Sequence, residues 1–418
     1  MNALLLLMGL LVLSYIGSFL VGGRAIRGFG LPSGSEYLLL GFVIGPNVLG
    51  LVERSMLDAF EPIADAALGW LAFALGLDYA FLGHRRVRLS SLLVACSIAL
   101  ATGAAIGATE YVVLARFTPL TGTDLLLLAA GIGAACSETT RDAVRWVVER
   151  HRARGPVADL LGEIADSDDV VPLVATALLF ALAPVEHARV ALPGLAWAGL
   201  TLALGVLLGL LTSVLLGRES RLHESWGVLL GTSLFAIGLA VRLKLSFLAM
   251  MFFMGIALAG SSRHRDEVAV MIRPTERPVL LPALVLAGAR ISSHATPGLA
   301  WVVGTAIGVR LLVKLLVGAL VWAGYREARP AGASLGLGLL STGALAMAVG
   351  LSFALRFPGT VGDTILLTVA AVTIFGEFVG PGRLRASLTR AGEISETKAA
   401  PSEVELAAAP SDPEALGP

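Results

Sequence analysis

The sequence predicts an all-α polytopic membrane protein with thirteen transmembrane helices. Three observations carry this. The 418-residue chain is 56% hydrophobic and only 15% charged, with a mean hydropathy of +0.82, whereas a soluble domain carries roughly 25% charged residues. Apolar runs approaching or exceeding the roughly 20 helical residues that span a bilayer core recur along nearly the whole chain. Lys and Arg also alternate between rich and poor gaps separating those runs, as loops on the two sides of a membrane do. The 48 glycines fit the same picture, because small residues let transmembrane helices approach closely.

In order, the runs lie near 2–22, 35–53, 62–82, 89–115, 123–148, 157–183, 190–216, 225–242, 245–261, 278–293, 298–324, 332–355 and 361–380. No basic residue precedes the first run, and Arg24 and Arg27 follow it. That pattern reads as a first transmembrane helix with its N-terminus outside, not as a signal peptide. The odd gaps should then be basic. They carry Arg24 and Arg27; Arg85, Arg86 and Arg88; Arg150, Arg152 and Arg154; Arg218 and Arg221; Arg263, Arg265, Arg273 and Arg277; and Arg326 and Arg329. After the last run come Arg383, Arg385, Arg390 and Lys398, whereas the even gaps hold only Arg54, Arg116, Arg189, Arg242, Lys244 and Arg356. Miscounting one run would scramble this alternation, so the expected topology is N-out and C-in.

Residues 1–391 are expected to form the membrane domain. From 392 the chain turns to Ala, Pro, Glu and Ser without apolar periodicity. It cannot bury enough surface to offset its ordering entropy, so 392–418 is expected to be a disordered cytoplasmic tail. A formal net charge of zero argues against a nucleic-acid partner. Cys96 and Cys136, each inside an apolar run, supply no disulfide framework or metal cluster and read as buried small hydrophobes. The composition points to a multi-pass membrane protein with the bilayer as partner; the expected location is the inner (plasma) membrane, with no cofactor and no enzymatic activity expected.

Thirteen helices around a central seventh leave six on each side, and an odd linker inverts the second half relative to the first. Inverted repeats with interrupted helices are the usual build of secondary transporters. Both halves carry an interruption in their fifth run. One is apolar to Cys136 and then reads Ser137-Glu138-Thr139-Thr140; the other holds Ser341, Thr342 and Gly343 at its middle. Either alone is weak, since Ser and Thr commonly bond back to helix carbonyls. Matching positions strengthen the pair, because opposed half-helix ends can present their dipoles to an ion.

Ionisable residues at helix centres cost about 2.5–3.5 kcal/mol each on insertion scales, so they need a reason. The sixth run holds Glu163, Asp166, Asp168 and Asp169. Glu163 falls near the cytoplasmic start and Asp166 between interface and core, while Asp168 and Asp169 lie halfway along. Adjacent helical positions differ by about 100°, so these two carboxylates should face different neighbours. One can pair with a fixed cation while the other binds and releases an ion. Arg310 and Lys314, four apart in the eleventh run, supply that cation. Lys314 is the deeper, and a buried lysine can lose its proton whereas arginine cannot. A proton and a metal cation competing for one carboxylate is antiport in its simplest form, with Asp169 holding the transported alkali cation. Glu138 either lines the same pathway or pairs locally with Arg141 or Arg145. Asp78 is expected to snorkel to the cytoplasmic interface, and Arg290 to lie near the outer face.

With these residues the chain resembles the monovalent cation:proton antiporter superfamily over roughly 31–390, as a sodium/proton exchanger of the Asp-Asp branch. LPSGSEYLLLGFVIGPNVLGL resembles the second-helix pattern, WLAFALGLDYAF the third helix, SDDVVPLVATALL the Asp-Asp helix and SLGLGLLSTGALAMAVG the second crossover. The resemblance implies that Asp169 is the ion- and proton-binding carboxylate and that Asp168 pairs with Lys314. It further implies a homodimer. Where many members carry Thr-Asp or Thr-Ser in the first crossover, this chain carries Ser137-Glu138-Thr139-Thr140. The expected function is exchange of Na⁺ or K⁺ for protons by alternating access.

Other functions fit less of the sequence. A sodium-coupled organic-anion symporter of similar fold would not need Lys314 beside the aspartates. An intramembrane aspartyl protease needs its two aspartates on separate helices, one in a Gly-x-Gly-Asp setting that is absent here. A channel would have little use for buried titratable pairs.

Overall fold

In the computed structural model, residues 35–82, 89–183, 193–217, 222–291 and 297–394 are described. They contain sixteen α-helices and, among the described residues, no strand. In order these are α1 (Ser35–Ile44), α2 (Arg54–Ala59), α3 (Glu61–Leu82), α4 (Leu89–Phe117), α5 (Gly122–Ala135), α6 (Arg141–Arg150), α7 (Pro156–Ser167) and α8 (Val170–Leu182). They continue as α9 (Gly194–Leu216), α10 (Leu222–Arg242), α11 (Phe247–Ser261), α12 (Arg265–Ile272), α13 (Glu276–Arg290), α14 (Leu299–Gly324), α15 (Ala344–Arg356) and α16 (Thr360–Arg390). The run at 2–22, with Arg24 and Arg27, lies outside the described residues, as do the loops carrying Arg85, Arg189 and Arg218.

The helix list differs from twelve uninterrupted spans in two ways. The fifth and sixth runs are each split, into α5 and α6 and into α7 and α8, and the twelfth is a 3₁₀ segment, Leu335–Leu339, followed by α15. Two short helices, α2 and α12, are added between the long ones. Among the described residues, five helical stretches are long and apolar enough to cross a membrane: Ser91–Phe117, Gly194–Leu216, Ser225–Arg242, Leu299–Gly324 and Thr360–Arg390. The outer faces of several carry exposed leucines and aromatics, among them Leu100, Leu207, Trp301 and Leu320. In water such faces would be costly, and in lipid they are solvated.

The helices pack as two bundles. One groups α1, α3, α9, α10, α11 and α13; the other groups α4 to α8 with α14, α15 and α16. With lipid tails as apolar as leucine, close packing has to hold helices together, and glycines set the distance. A Cβ on Gly76 would lie 2.0 Å from the Phe252 carbonyl oxygen, and one on Gly255 would lie 2.3 Å from that of Phe73. Helices α3 and α11 therefore touch backbone to backbone. Within the second bundle, α16 is buried along most of its length. It forms the post against which the two interrupted helices cross.

Residues 392–394 of the expected tail lie against the helical body. The Glu393 carboxylate accepts from the Val157 and Ala158 amides, both at 2.7 Å, at the start of α7. It thereby satisfies two of the donors a helix N-terminus leaves orphaned. Residues beyond 394 lie outside the described ones.

Candidate ion-binding site

Two non-helical stretches cross at the centre of the second bundle. Helix α5 stops at Ala135 and α6 begins at Arg141; the 3₁₀ segment stops at Leu339 and α15 begins at Ala344. The stretches touch where the Thr140 amide donates to the Ser341 carbonyl at 3.0 Å. Gly343 is required at the crossing, since a Cβ there would lie 2.3 Å from Thr140 Oγ1. Side chains take up the remaining polar groups. Ser137 Oγ donates to the Ala134 carbonyl at 2.8 Å, Ser341 Oγ to that of Gly376 at 3.3 Å, and the Thr342 and Thr373 hydroxyls meet at 3.1 Å.

Four half-helix ends converge here, and fixed charges of the complementary sign face three of them. Arg310, buried on α14, donates to the carbonyls of Cys136, of Glu138 at 2.6 Å and of Leu340 at 3.3 Å. It thus covers the negative ends of α5 and of the 3₁₀ segment. Glu138 Oε1 accepts from the amides of Gly343 at 2.7 Å and Ala346 at 3.1 Å, covering the positive end of α15. Neither local partner expected for Glu138 is used: Arg141 bonds to Asp78 at 2.9 Å and Arg145 to Asp166 at 3.5 Å. Glu138 caps α15, and pairs with neither Arg141 nor Arg145, because the break places it opposite the other crossover segment.

The sixth run breaks at the aspartates themselves. Asp168 and Asp169 form the turn between α7 and α8, and both are buried. They face different surroundings. Asp168 is enclosed with Lys314, Glu138, Thr139 and Arg310 as its charged and polar neighbours. Lys314 Nζ, fully buried, donates to Thr139 Oγ1 at 2.7 Å and makes no ion pair within 4.0 Å of Asp168. The Thr139 hydroxyl in turn donates to the Leu339 carbonyl at 3.4 Å, and both Asp168 carboxylate oxygens are buried without a hydrogen-bond partner. The expected Asp168–Lys314 ion pair is therefore not formed in this arrangement. Lysine reaches the nearer hydroxyl of the unwound strand.

Asp169 looks the other way, into a funnel of about 710 Å³ between the two bundles. Helix α3 contributes Asp78, α6 contributes Arg141, Arg145 and Glu149, and α7 contributes Asp159, Glu163 and Asp166, with Arg273 and Glu276 closing the far wall. Seven carboxylates against three arginines make it a cation-attracting vestibule. Asp78, expected to snorkel to the cytoplasmic interface, lies in this wall bonded to Arg141 and, at 3.1 Å, to Arg273. Arg290 sits in a different wall, beside Asp58 at 3.5 Å and Glu61 at 3.6 Å.

The sequence reading passed over Glu110 and Glu377, both buried. Glu110 Oε1 accepts from Thr305 Oγ1 at 2.6 Å between α4 and α14. The signal was there: Glu110 is the single acid of the run near 89–115, and Glu377 shares the run near 361–380 only with Asp363 at its start.

The architecture has solved counterparts. Over 94% of its length the chain superposes on the sodium proton antiporter MjNhaP1 from Methanocaldococcus jannaschii determined at pH 8, covering 99% of that chain with a TM-score of 0.57 and 17% identity. A second structure of MjNhaP1, an electron-microscopy map, matches at 17% identity and a TM-score of 0.50, with 94% of this chain and 96% of that one covered. No curated protein sequence matches. The family model described as "Sodium/hydrogen exchanger, transmembrane" matches residues 12–382, and the chain therefore belongs to the sodium/hydrogen exchanger family of membrane antiporters.

Proposed function

We propose that the protein exchanges a monovalent cation, Na⁺ or K⁺, for protons by alternating access, with Asp169 as the carboxylate for which they compete. One observation carries this reading: Asp169 is the buried carboxylate at a helix break that also lines the acidic funnel. A cation drawn down the funnel meets Asp169, while Asp168, Lys314 and Arg310 stay behind it in the protein. Glu138 and Arg310 hold the crossing chains, Ser137, Thr139, Thr140, Ser341 and Thr342 supply the polar groups of the break, and Lys314 acts on the site through Thr139 and Asp168. Buried ion networks are a costly way to gain stability, which favours a working role for these charges.

The two bundles move against one another, exposing Asp169 to each side in turn. Thirteen spans with N-out and C-in topology in the plasma membrane place the funnel mouth in the cytoplasm, because Arg145, Glu149 and Arg273 flank the basic gaps of the sequence. Residues 1–391 form the membrane domain with 392–418 as its cytoplasmic tail, and the working unit is a homodimer.

The test is reconstitution in liposomes with an internal pH dye, adding Na⁺, K⁺ or Li⁺ outside in turn. Wild type should release protons in response to its cation, and Asp169→Asn should lose at least about 90% of that response while remaining folded. Full activity in Asp169→Asn would remove this residue from the mechanism.

A further inference from the structure

The funnel holds a charge that the exchange reading leaves without a task. Arg141 is the first residue of α6, where the helix dipole makes a cation unfavourable and an acid welcome. Its position therefore does nothing for the helix it starts. Its guanidinium instead reaches across the crevice to the other bundle: Nη1 lies 2.9 Å from Asp78 Oδ2 on α3, and Nη2 lies 3.7 Å from Glu276 Oε2 at the start of α13. Its side chain is 12% exposed, so little water screens it. Asp169 is among the anionic groups whose field it feels, and Asp169, Asp78, Glu276 and Arg141 all line the same funnel.

We propose that Arg141 is a tethered counter-cation of the ion site, competing with the transported ion for Asp169 and held by Asp78 and Glu276 on the opposite bundle. The inference rests on the exchange reading and adds to it a specificity-setting residue. Arginine suits the role because it keeps its charge at any working pH and its planar fork can serve two carboxylates at once. An incoming monovalent cation meets a site already partly neutralised. It binds only as tightly as it can against that charge, which keeps its release fast. Because Arg141 travels with α6 and its two acceptors belong to the other bundle, relative movement of the bundles must break these bonds. The same contact thereby links the occupancy of Asp169 to the position of the bundles.

Removing the charge and releasing its tether should act in opposite directions. Proteoliposomes carrying wild type, Arg141→Gln, Arg141→Lys or the double variant Asp78→Asn/Glu276→Gln are assayed for cation-driven proton efflux. The cation concentration is varied at alkaline pH, where protons compete least. Arg141→Gln should lower the apparent KM by about three- to tenfold, the effect of one unit charge in a partly wet site. Its maximal rate should fall as release slows. Arg141→Lys should keep a KM near wild type. The double variant leaves Arg141 free to turn to Asp169 and should raise KM by a similar factor. An unchanged or raised KM in Arg141→Gln overturns the proposal. If that variant does not fold, an unchanged or lowered KM in the double variant overturns it equally. Absence of exchange in wild type is the distinct outcome that removes the exchange reading, and this proposal with it.

Discussion

Replacing Arg310 with methionine separates a charge that organises the crossover from one that only fills space. Methionine keeps most of the aliphatic volume on α14 and deletes the guanidinium. In the native fold that group donates to three backbone carbonyls, those of Cys136, Glu138 and Leu340, and is almost fully buried. Hydrogen bonds from a charged donor contribute roughly 1.5–3 kcal/mol each, so the gross loss over three is about 5–9 kcal/mol. Relief from holding a cation away from water offsets part of it. Stripping one partner from a buried charge network costs about 3–5 kcal/mol, and about 3 kcal/mol is the expected net figure. At an unfolding entropy of about 2.1 cal/mol/K per residue, this corresponds to a fall of about 3–4 °C in Tm for a chain of this length. Exchange should fall far more steeply than stability, because Glu138 and Asp168 lose a compensating charge and the negative helix ends repel each other. Arg310→Lys restores the charge without the three-way fork and should fall between. The assay is thermal unfolding in detergent together with dye-monitored proton efflux from liposomes. If Arg310→Met melts within 1 °C of wild type and exchanges normally, the crossing is not held by this clamp.

Three further outcomes follow from the same geometry. Glu138→Ala orphans the amides of Gly343 and Ala346 and should destabilise by about 1–2 kcal/mol; Glu138→Gln, which keeps an acceptor, should unfold within about half that loss, as measured by thermal unfolding. Gly336→Val should fail to fold or lose at least about 3 kcal/mol, because its Cβ would lie 1.8 Å from the Lys314 carbonyl oxygen where α14 meets the 3₁₀ segment; monodispersity on size-exclusion chromatography reads this directly. Glu393→Ala should cost about 1 kcal/mol and speed amide exchange at Val157 and Ala158, by hydrogen-exchange mass spectrometry.

What the sequence alone determined is whatever depends on solvent and on adjacency along the chain. Apolar length made the chain a membrane protein, and unavoidable cost made Asp168, Asp169, Arg310 and Lys314 stand out from the apolar runs. The polar stretches after Cys136 and at Ser341 marked where helices would break. The split of the sixth run at Asp168 and Asp169 had a signal in Pro172, four residues after Asp168, which has no N–H to offer the Asp168 carbonyl and crowds it with its ring. Partner choice belonged to the tertiary structure. Glu138 lies three residues from Arg141, yet it caps a helix some two hundred residues further on. Lys314 bonds Thr139 on the crossing segment, and Asp78 is bonded in a funnel wall by Arg141. The reason is physical. Buried charges and orphaned helix ends must be satisfied by whatever the packing of two bundles brings within about 3 Å, and that distance is set by where helices cross.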